Sequence, residues 1–422
     1  MPDQPTRARG LSRRLFHAAV LGAALLPPAW SQPAAPTGAG QTAPSSAPRT
    51  RTAAAQPVQL GIDGEFGLVN STSAQAVERG VRIAVEEINA AGGVLGGRPL
   101  EVVIKDHRSI PARGIRNLEE FIAMPGVVAV YGGRFSPVVI EQLPLIRKAQ
   151  LPFLAVWSAA DVIVDNGSQP NYAFRLSLRD SLAMPFMMES AAARGIQRVG
   201  LLLTNTSWGR SNLAATDRYA ASHDTPRVVA TAWYNWQERS LIEPYRKLLA
   251  AGAQAVLLVA NDDEAATLVR EMAALPAAQR VPVLSHWGVT GGRFFAEAGP
   301  HLKAVDFSVV QTFSFFRARK EPLERFMATA RKLGIQRIED IESPVGVAHA
   351  YDMTHILAKA INLAGSTDRA AIRDALEKVP LHEGLVRRYA PPFTPTRHEA
   401  LTPSELLMAR YRDDGVIVPA DR

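Results

Sequence analysis

The sequence predicts an α/β protein of two Rossmann-like lobes, each a parallel sheet covered by helices. Two observations carry this. From Val58 onward, short apolar runs alternate with longer stretches of helical period, the pattern of strands joined by helical crossovers. Nine such runs are too many for one sheet of ordinary width and divide naturally into two. In order, the strands are predicted over Val58–Ile62, Leu100–Lys105, Val127–Tyr131, Pro152–Val156, Arg198–Leu203, Val228–Tyr234, Ala255–Val259, Val281–Leu284 and Val305–Gln311. Val127-Val128-Ala129-Val130-Tyr131 is apolar throughout, as a strand buried on both faces requires. Between the strands fall helices over Ala74–Ala91, Ala112–Met124, Pro137–Ala149, Ser181–Arg194, Gly209–Ser222, Ser240–Ala251, Asp263–Leu275 and Pro322–Leu333. The first shows the reason plainly: Val81, Ala84, Val85 and Ile88 share one face, and Glu86-Glu87 reads as its solvated edge. Helices over Val345–Ala364 and Arg369–Val379 follow. Leu407–Arg412 and Val416–Val418 flank Asp413-Asp414-Gly415 as a closing hairpin.

The N-terminus predicts an address. Arg7, Arg9, Arg13 and Arg14 precede the apolar run Leu15–Leu26, and Ala29-Trp30-Ser31 has the small-x-small form of a cleavage site. Ser12-Arg13-Arg14-Leu15-Phe16 fits the twin-arginine export pattern, so residues 1–31 are expected to be an export signal. Residues 32–57, rich in Ala, Pro, Thr, Ser and Gly, are expected to be a disordered linker. The chain of 422 residues has no cysteine, so disulfides, thiolate metal sites and a lipid on cysteine are excluded. A protein free in the periplasm is the expectation. Of the formal charge of +7, +3 falls on residues 1–31 and +2 on Arg49 and Arg51, leaving +2 for the remainder. A nucleic-acid binder would keep a basic face on its folded part, so no nucleic-acid partner is expected.

In open parallel sheets ligands bind beyond the carboxyl ends of the strands. The loops to inspect are therefore Asp63–Ser73, Gly132–Ser136, Trp157–Asp161, Thr204–Gly209, Asn261–Asp263 and Ser285–Gly291. Gly132-Gly133-Arg134-Phe135-Ser136-Pro137 has a local logic. The glycines allow close approach of the backbone, Ser136 suits an N-cap and Pro137 a first helical turn, and exposed N–H groups there favour an anion. His349 and His355 flank Asp352 six residues apart, off the spacing of a helical metal pair, and no metal or cofactor is expected. No Walker loop, HExxH or GxSxG occurs, so catalysis has little support.

The run Gly80-Val81-Arg82-Ile83-Ala84-Val85-Glu86-Glu87-Ile88-Asn89-Ala90-Ala91-Gly92-Gly93-Val94-Leu95-Gly96 resembles the first helix and turn of the periplasmic amino-acid-binding proteins of the leucine/isoleucine/valine type. These are extracytoplasmic receptors for ABC importers. Val130-Tyr131-Gly132-Gly133 with Ser136, Ala173-Phe174-Arg175 with Asp180, Trp208-Gly209, and Tyr351-Asp352 through Asp368 match in the same order. The resemblance implies the type I periplasmic-binding-protein fold: two lobes joined by a multi-strand hinge, with 58–177 and 313–380 in the first lobe and 178–312 and 381–422 in the second. It also implies a monomer that binds a small molecule and meets a permease in the inner membrane.

By the same resemblance, Ser136 would hold a ligand carboxylate, with Arg134 and Phe135 beside it. The Trp157-Ser158-Ala159 loop would contribute backbone groups and a hydroxyl displaced to Ser158. Trp208 would cover the ligand on closure. Two departures stand out. Ser73 occupies a position where some relatives carry an aromatic, and Trp287 stands where the family has the acid that pairs with the ligand's ammonium group. Asp262, Asp263 or Glu264, next to Asn261, could replace that acid; otherwise the ligand has no amine. The expected ligand is thus amino-acid-like or an organic acid, with an apolar or aromatic body against Trp157, Trp208 and Trp287. A sensor of the same fold, or an exported enzyme, are the alternatives.

Overall fold

The computed structural model describes residues 56–420, so the expected signal and nearly all of the linker lie outside them. The apolar runs become strands in the predicted places. The first sheet uses β1 (Val58–Gly64), β2 (Leu100–Asp106), β3 (Val127–Gly132), β4 (Phe153–Ala155) and β5 (Ala173–Arg175), with α1 (Ser73–Ala90), α2 (Pro111–Ile122) and α3 (Ser136–Lys148) between them. Its order is β2-β1-β3-β4-β5, parallel throughout.

The chain then crosses to a second sheet through α4 (Asp180–Ala193). There β6 (Arg198–Thr204), α5 (Ser207–Ala220), β7 (Arg227–Tyr234), α6 (Ile242–Ala250), β8 (Ala255–Val259), α7 (Asp262–Ala273), β9 (Val283–Ser285), α8 (Phe294–Ala298) and β10 (Phe307–Gln311) repeat the same winding. It returns to the first sheet with α9 (Lys320–Lys332), α10 (Pro344–Ala364) and α11 (Arg369–Leu376). After the short ribbon β11 (His382–Glu383) and β12 (Arg388–Tyr389), the hairpin β13 (Leu407–Tyr411) and β14 (Ile417–Pro419) joins the second sheet. That sheet runs β14-β13-β10-β9-β8-β6-β7, parallel except for the hairpin.

Strand order reverses between β1 and β3 in one sheet and between β6 and β8 in the other. Loops on either side of such a reversal diverge and leave a crevice. The loops after β1 and β3 carry Glu65, Ser73 and Arg134; those after β6 and β8 carry Trp208 and Asn261.

The second half of the chain returns to the first lobe because α10 is apolar nearly all round and needs a complete coat. It crosses α1 closely: a Cβ on Gly80 would lie 2.2 Å from the Val347 carbonyl oxygen. Tyr131 and Thr354 share a hydroxyl hydrogen bond of 2.8 Å beneath it.

Three expectations need correction. Strand β5 was not among the predicted strands; three residues are too short to show a period. Residues 381–400 do not belong wholly with the second lobe. The buried Asp352 carboxylate on α10 accepts the N–H groups of Leu385 (2.6 Å) and Val386 (2.9 Å) and the Tyr389 hydroxyl (2.9 Å), which fastens that segment to the first lobe. Only the hairpin after it joins the second sheet. Glu87 is not a solvated edge either: its carboxylate accepts the Tyr351 hydroxyl at 2.7 Å and lies 3.1 Å from His355 Nε2.

Gly80→Val forces α1 and α10 apart and is expected to lower stability by about 1–3 kcal/mol in thermal denaturation. A wild-type melting temperature would contradict the close crossing.

Candidate functional site

Where β1 ends, the chain buries a carboxylate. Glu65 is fully enclosed, and its Oε1 accepts the hydroxyls of Ser71 (3.1 Å) and Ser73. Its Oε2 has no hydrogen-bond partner; His107 Nε2 stands 3.8 Å from it. His107 Nδ1 accepts the Ser109 N–H at 2.9 Å, so in the neutral ring the proton is on Nε2, facing Glu65. Gly133 makes this possible, because a Cβ there would sit 2.5 Å from Oε2.

Beside Glu65 lies Arg134, whose Nε is 4.0 Å from Oε1. Its Nη1 donates to Asp262 Oδ1 at 2.7 Å. Arg134 belongs to the first lobe and Asp262 opens α7 of the second, so this ion pair spans the two. Both side chains are enclosed, 5% and 3% exposed. Burial alone would weaken the guanidinium as a base, but the facing carboxylates of Asp262 and Glu65 outweigh it and push its pKa up. Its Nε has no hydrogen-bond acceptor. The guanidinium also lies 4.9 Å from the Phe135 ring centre, and Phe135 meets Trp236 of the second lobe edge-on at 5.3 Å.

Two glycines give the pair its room. A Cβ on Gly292 would lie 1.8 Å from Asp262 Oδ2, and one on Gly291 would lie 2.6 Å from Arg134 Nη1. The same strip of backbone zips the lobes together. Thr72 N–H donates to Gly291 O (2.9 Å), Arg293 N–H donates to Asn70 O (3.0 Å), and Ser343 Oγ donates to Thr290 O (2.6 Å).

Trp157 and Trp287 are buried against each other across this seam, ring centres 5.6 Å apart and planes tilted by 39°. Trp157 borders Gly291 alongside Arg134 and is floored by Gly346, where a Cβ would meet its ring at 2.4 Å. Trp287 continues to His349 (5.5 Å) and His286 (6.4 Å).

A second polar group surrounds Asp180. Its carboxylate accepts the Trp208 indole N–H at 3.2 Å and lies 3.2 Å from His286 Nε2, with Trp208 edge-on to His286 at 5.0 Å. Trp208 is therefore packed within its own lobe, with its N–H donated to Asp180. Asn261, buried at the start of α7, lies near Gly288, which also faces Trp208. Ser136 does not cap its helix through its side chain; its Oγ accepts the Ala160 N–H at 3.2 Å instead. Ser158 Oγ is buried with no partner, and the Ala159 carbonyl accepts the Asp180 N–H at 2.9 Å.

The residues singled out in the sequence thus fall into separate groups. Ser73, Arg134, Phe135 and Asp262 gather around Glu65; Ala159, Trp208 and Asn261 lie toward Asp180 and Gly288; Ser136 and Ser158 meet at the loop before Asp161; the Trp157–Trp287 pair lies between. Glu65, Ser71, His107, Trp236 and His286 were missed as site residues. Glu65 had one visible signal, a lone acid between glycines directly after a buried strand. Two cavities open on the protein, one of them along this same Thr72–Gly292–Ser343 seam. One of about 550 Å³ opens between Thr72, Arg293, Ser343 and Tyr411; another of about 250 Å³ lies beside Arg179 and His398. Among the described residues no group of His, Asp and Glu is arranged to hold a metal ion, and no helix is long and apolar enough to cross a membrane.

Two wound lobes, closed over charged and aromatic groups at facing switch points, define a two-lobed ligand-binding protein. Residues 62–415 match the family described as periplasmic binding protein, and the chain belongs to that family. It is a family of binding proteins, not enzymes. The chain is similar to Leu/Ile/Val-binding protein homolog 8 of Brucella abortus (strain 2308), 28% identical over 177 residues, 38% of this chain. That match spans only 41% of the relative's length. Homolog 7 of the same strain is 23% identical over 343 residues, 76% of this chain and 80% of that protein. Among solved structures, a periplasmic binding protein type 1 from Bordetella pertussis Tohama I is similar with TM-score 0.76 and 20% identity, over 86% of this chain and 100% of that one. LivJ from Streptococcus pneumoniae in complex with isoleucine gives 0.69 and 20%, over 86% and 100%. A solute binding protein from R. palustris in complex with 4-hydroxybenzoate gives 0.71 and 18%, over 87% and 96%. These structural likenesses establish the fold.

Two buried groups near the site titrate in opposite senses. Burial pushes His349 down to about 4 from an ordinary 6.5, partly offset by its hydrogen bond to the Val156 carbonyl. The unfolded ring takes its proton first, so the stability that depends on His349 is full above pH 6.5 and lost as pH falls toward 4. Burial pushes Asp63 up to about 6 from 3.8, against His107 and the amides of Asn117 and Gln142. Its contribution is full below pH 3.8 and lost as pH rises through 6. Each effect amounts to about 3 kcal/mol, so between pH 4 and 6 they nearly cancel. Asp63→Asn is therefore expected to grow more stable from pH 4 to 6.5, and His349→Gln less stable, while the wild type changes less than either. Urea denaturation across that range checks this; variants that track the wild type would contradict it.

Proposed function

We propose that this protein is an extracytoplasmic solute-binding protein of an ABC importer, free in the periplasm. It takes a small amino-acid-like or organic-acid ligand between its lobes and delivers it to a permease in the inner membrane. The supporting observation is the buried Arg134–Asp262 pair, which joins opposite charges from opposite lobes beside the Trp157–Trp287 pair.

Charge balance narrows the ligand. An anion that replaced Asp262 on Arg134 would leave a buried carboxylate without a partner, which is expensive. A zwitterion inserts between them and leaves both satisfied: its carboxylate faces Arg134, with Ser136 nearby, and its ammonium faces Asp262. Asp262 then serves in place of the acid that the Trp287 position lacks. The tryptophans favour a bulky apolar or aromatic side chain over a small one. Aromatic acids without an amine form the competing class, and the isoleucine and 4-hydroxybenzoate bound by its structural neighbours are representative of the two. The ligand favours the closed form by touching both lobes at once.

A thermal-shift comparison of L-phenylalanine, L-leucine, phenylacetate, 4-hydroxybenzoate and phenylacetamide tests the ligand class. The amino acids are expected to raise the melting temperature most, by an amount that grows with concentration. Asp262→Asn should weaken L-phenylalanine by about tenfold or more, the loss of one charge-assisted hydrogen bond. Equal shifts from the amine-free acids would contradict the zwitterion reading.

A further inference from the structure

We propose that Arg175, clamped by Glu399, is the positioning residue for the loop over 157–161, and that residues 382–400 dock on the first lobe to deliver that clamp. This rests on the proposed binding role of the cleft.

Arg175 ends the edge strand β5 and is completely buried. Its guanidinium has five N–H donors in a fixed plane, and the surroundings use the whole fork. Nε lies 3.0 Å from Glu399 Oε2 and Nη2 lies 2.7 Å from Oε1. Toward the loop, Nη1 donates to the carbonyls of Ser158 (3.2 Å) and Ala160 (3.0 Å), and Nη2 to that of Asp161 (3.3 Å). One side chain thus holds three carbonyls of one short loop.

The consequence follows from the planar trans peptide. Within each unit the C=O and the next N–H point in opposite directions. Turning the Ala160 carbonyl onto Arg175 sends the Asp161 N–H the other way, and it is found donating to Ser211 Oγ of the second lobe at 3.0 Å. The Ser158 carbonyl is turned onto Arg175 in the same manner, so the Ala159 N–H is sent to that side too. Among the described residues neither the Ser158 nor the Ala159 N–H donates to a protein group, and Ser158 Oγ has no partner either. Arg175 therefore faces the unspent Ala159 N–H away from itself, as it does the Asp161 N–H that reaches the other lobe.

A buried guanidinium needs a counter-charge, and Glu399 is brought to it by a dedicated segment. Arg175 N–H donates to His398 O (2.8 Å) and Ala400 N–H to Arg175 O (2.9 Å), a single parallel bridge at the sheet edge. His398 stacks on Phe174 at 3.9 Å and contacts Glu377 at 2.9 Å, while the Asp352 contacts hold the segment's other end. The sequence alone suggested no role for this stretch.

Hydrogen exchange followed by mass spectrometry on the full-length protein, without ligand, tests the proposal. The reporters are the amides of Ala160 and Asp161, which are bonded to Ser136 and Ser211. Glu399→Gln is expected to speed their exchange by about tenfold or more while α7 and β13 stay at wild-type rates. Glu399→Asp, which keeps the carboxylate, should restore protection. Arg175→Lys keeps the charge pair but loses the fork, and its loop should exchange as in Glu399→Gln. Where wild type binds L-phenylalanine, Glu399→Gln should weaken it by about tenfold or more. Wild-type protection of the loop in Glu399→Gln, protection retained in Arg175→Lys, or an increase spread evenly over the chain would each overturn the proposal. If wild type fails to bind L-phenylalanine, the zwitterion reading fails, and the exchange rates still decide the role of Arg175.

Discussion

The arrangement depends on an ion pair that neither lobe could keep by itself. Arg134 and Asp262 are each almost completely enclosed, and each has its charge partner on the other lobe. Removing two charges from water carries a penalty of several kcal/mol per ion, offset only when the geometry is close and further partners assist. Glu65 supplies that assistance from behind Arg134, and the Gly291-Gly292 strip supplies the space. If the lobes separate, water replaces these partners. The pair therefore ties the pairing of these two charges to closure of the seam.

The winding of the chain puts the pair there. Each sheet reverses its strand order once, and the two reversals face each other across the seam. Loops at those points are free of helix packing on one side, so they can present backbone groups and side chains to a ligand without disturbing a core. Below them, Trp157 and Trp287 exclude water, and His349 anchors Trp287 with a neutral ring whose Nε2 accepts the Thr312 hydroxyl and whose Nδ1 donates to the Val156 carbonyl. In the first lobe the site rests on Asp63 and Glu65 at the end of β1, two buried acids stabilised by amide and hydroxyl donors.

Most of the architecture was legible because parallel strands buried on both faces are written as unbroken apolar runs; the run at Ala255–Val259 matches its strand end for end. What escaped was short or long-range. β5 has only three residues, and nothing local marks them as a strand. The docking of 382–400 depends on one distant carboxylate, Asp352, which composition cannot connect to Leu385 or Tyr389. The site shows the same division. The sequence located the loops, since each follows a strand and precedes a helix, and Arg134, Ser136, Trp157 and Asp262 all lie in them. It did not reveal which side chain each would meet. Trp208 turned to Asp180 and Ser136 to Ala160, and Glu65 went unnoticed because burial of an acid cannot be read from its neighbours in the chain.

The central claim, that Arg134 and Asp262 hold the lobes together as one interacting pair, is tested most directly by a double-mutant cycle on stability. Arg134→Gln, Asp262→Asn and the double variant are unfolded in urea without ligand at neutral pH. The account predicts a coupling energy of about 1–3 kcal/mol, with the double variant no less stable than the weaker single one. Additive losses, with a coupling energy near zero, would show that the two charges do not meet in solution and would contradict the account.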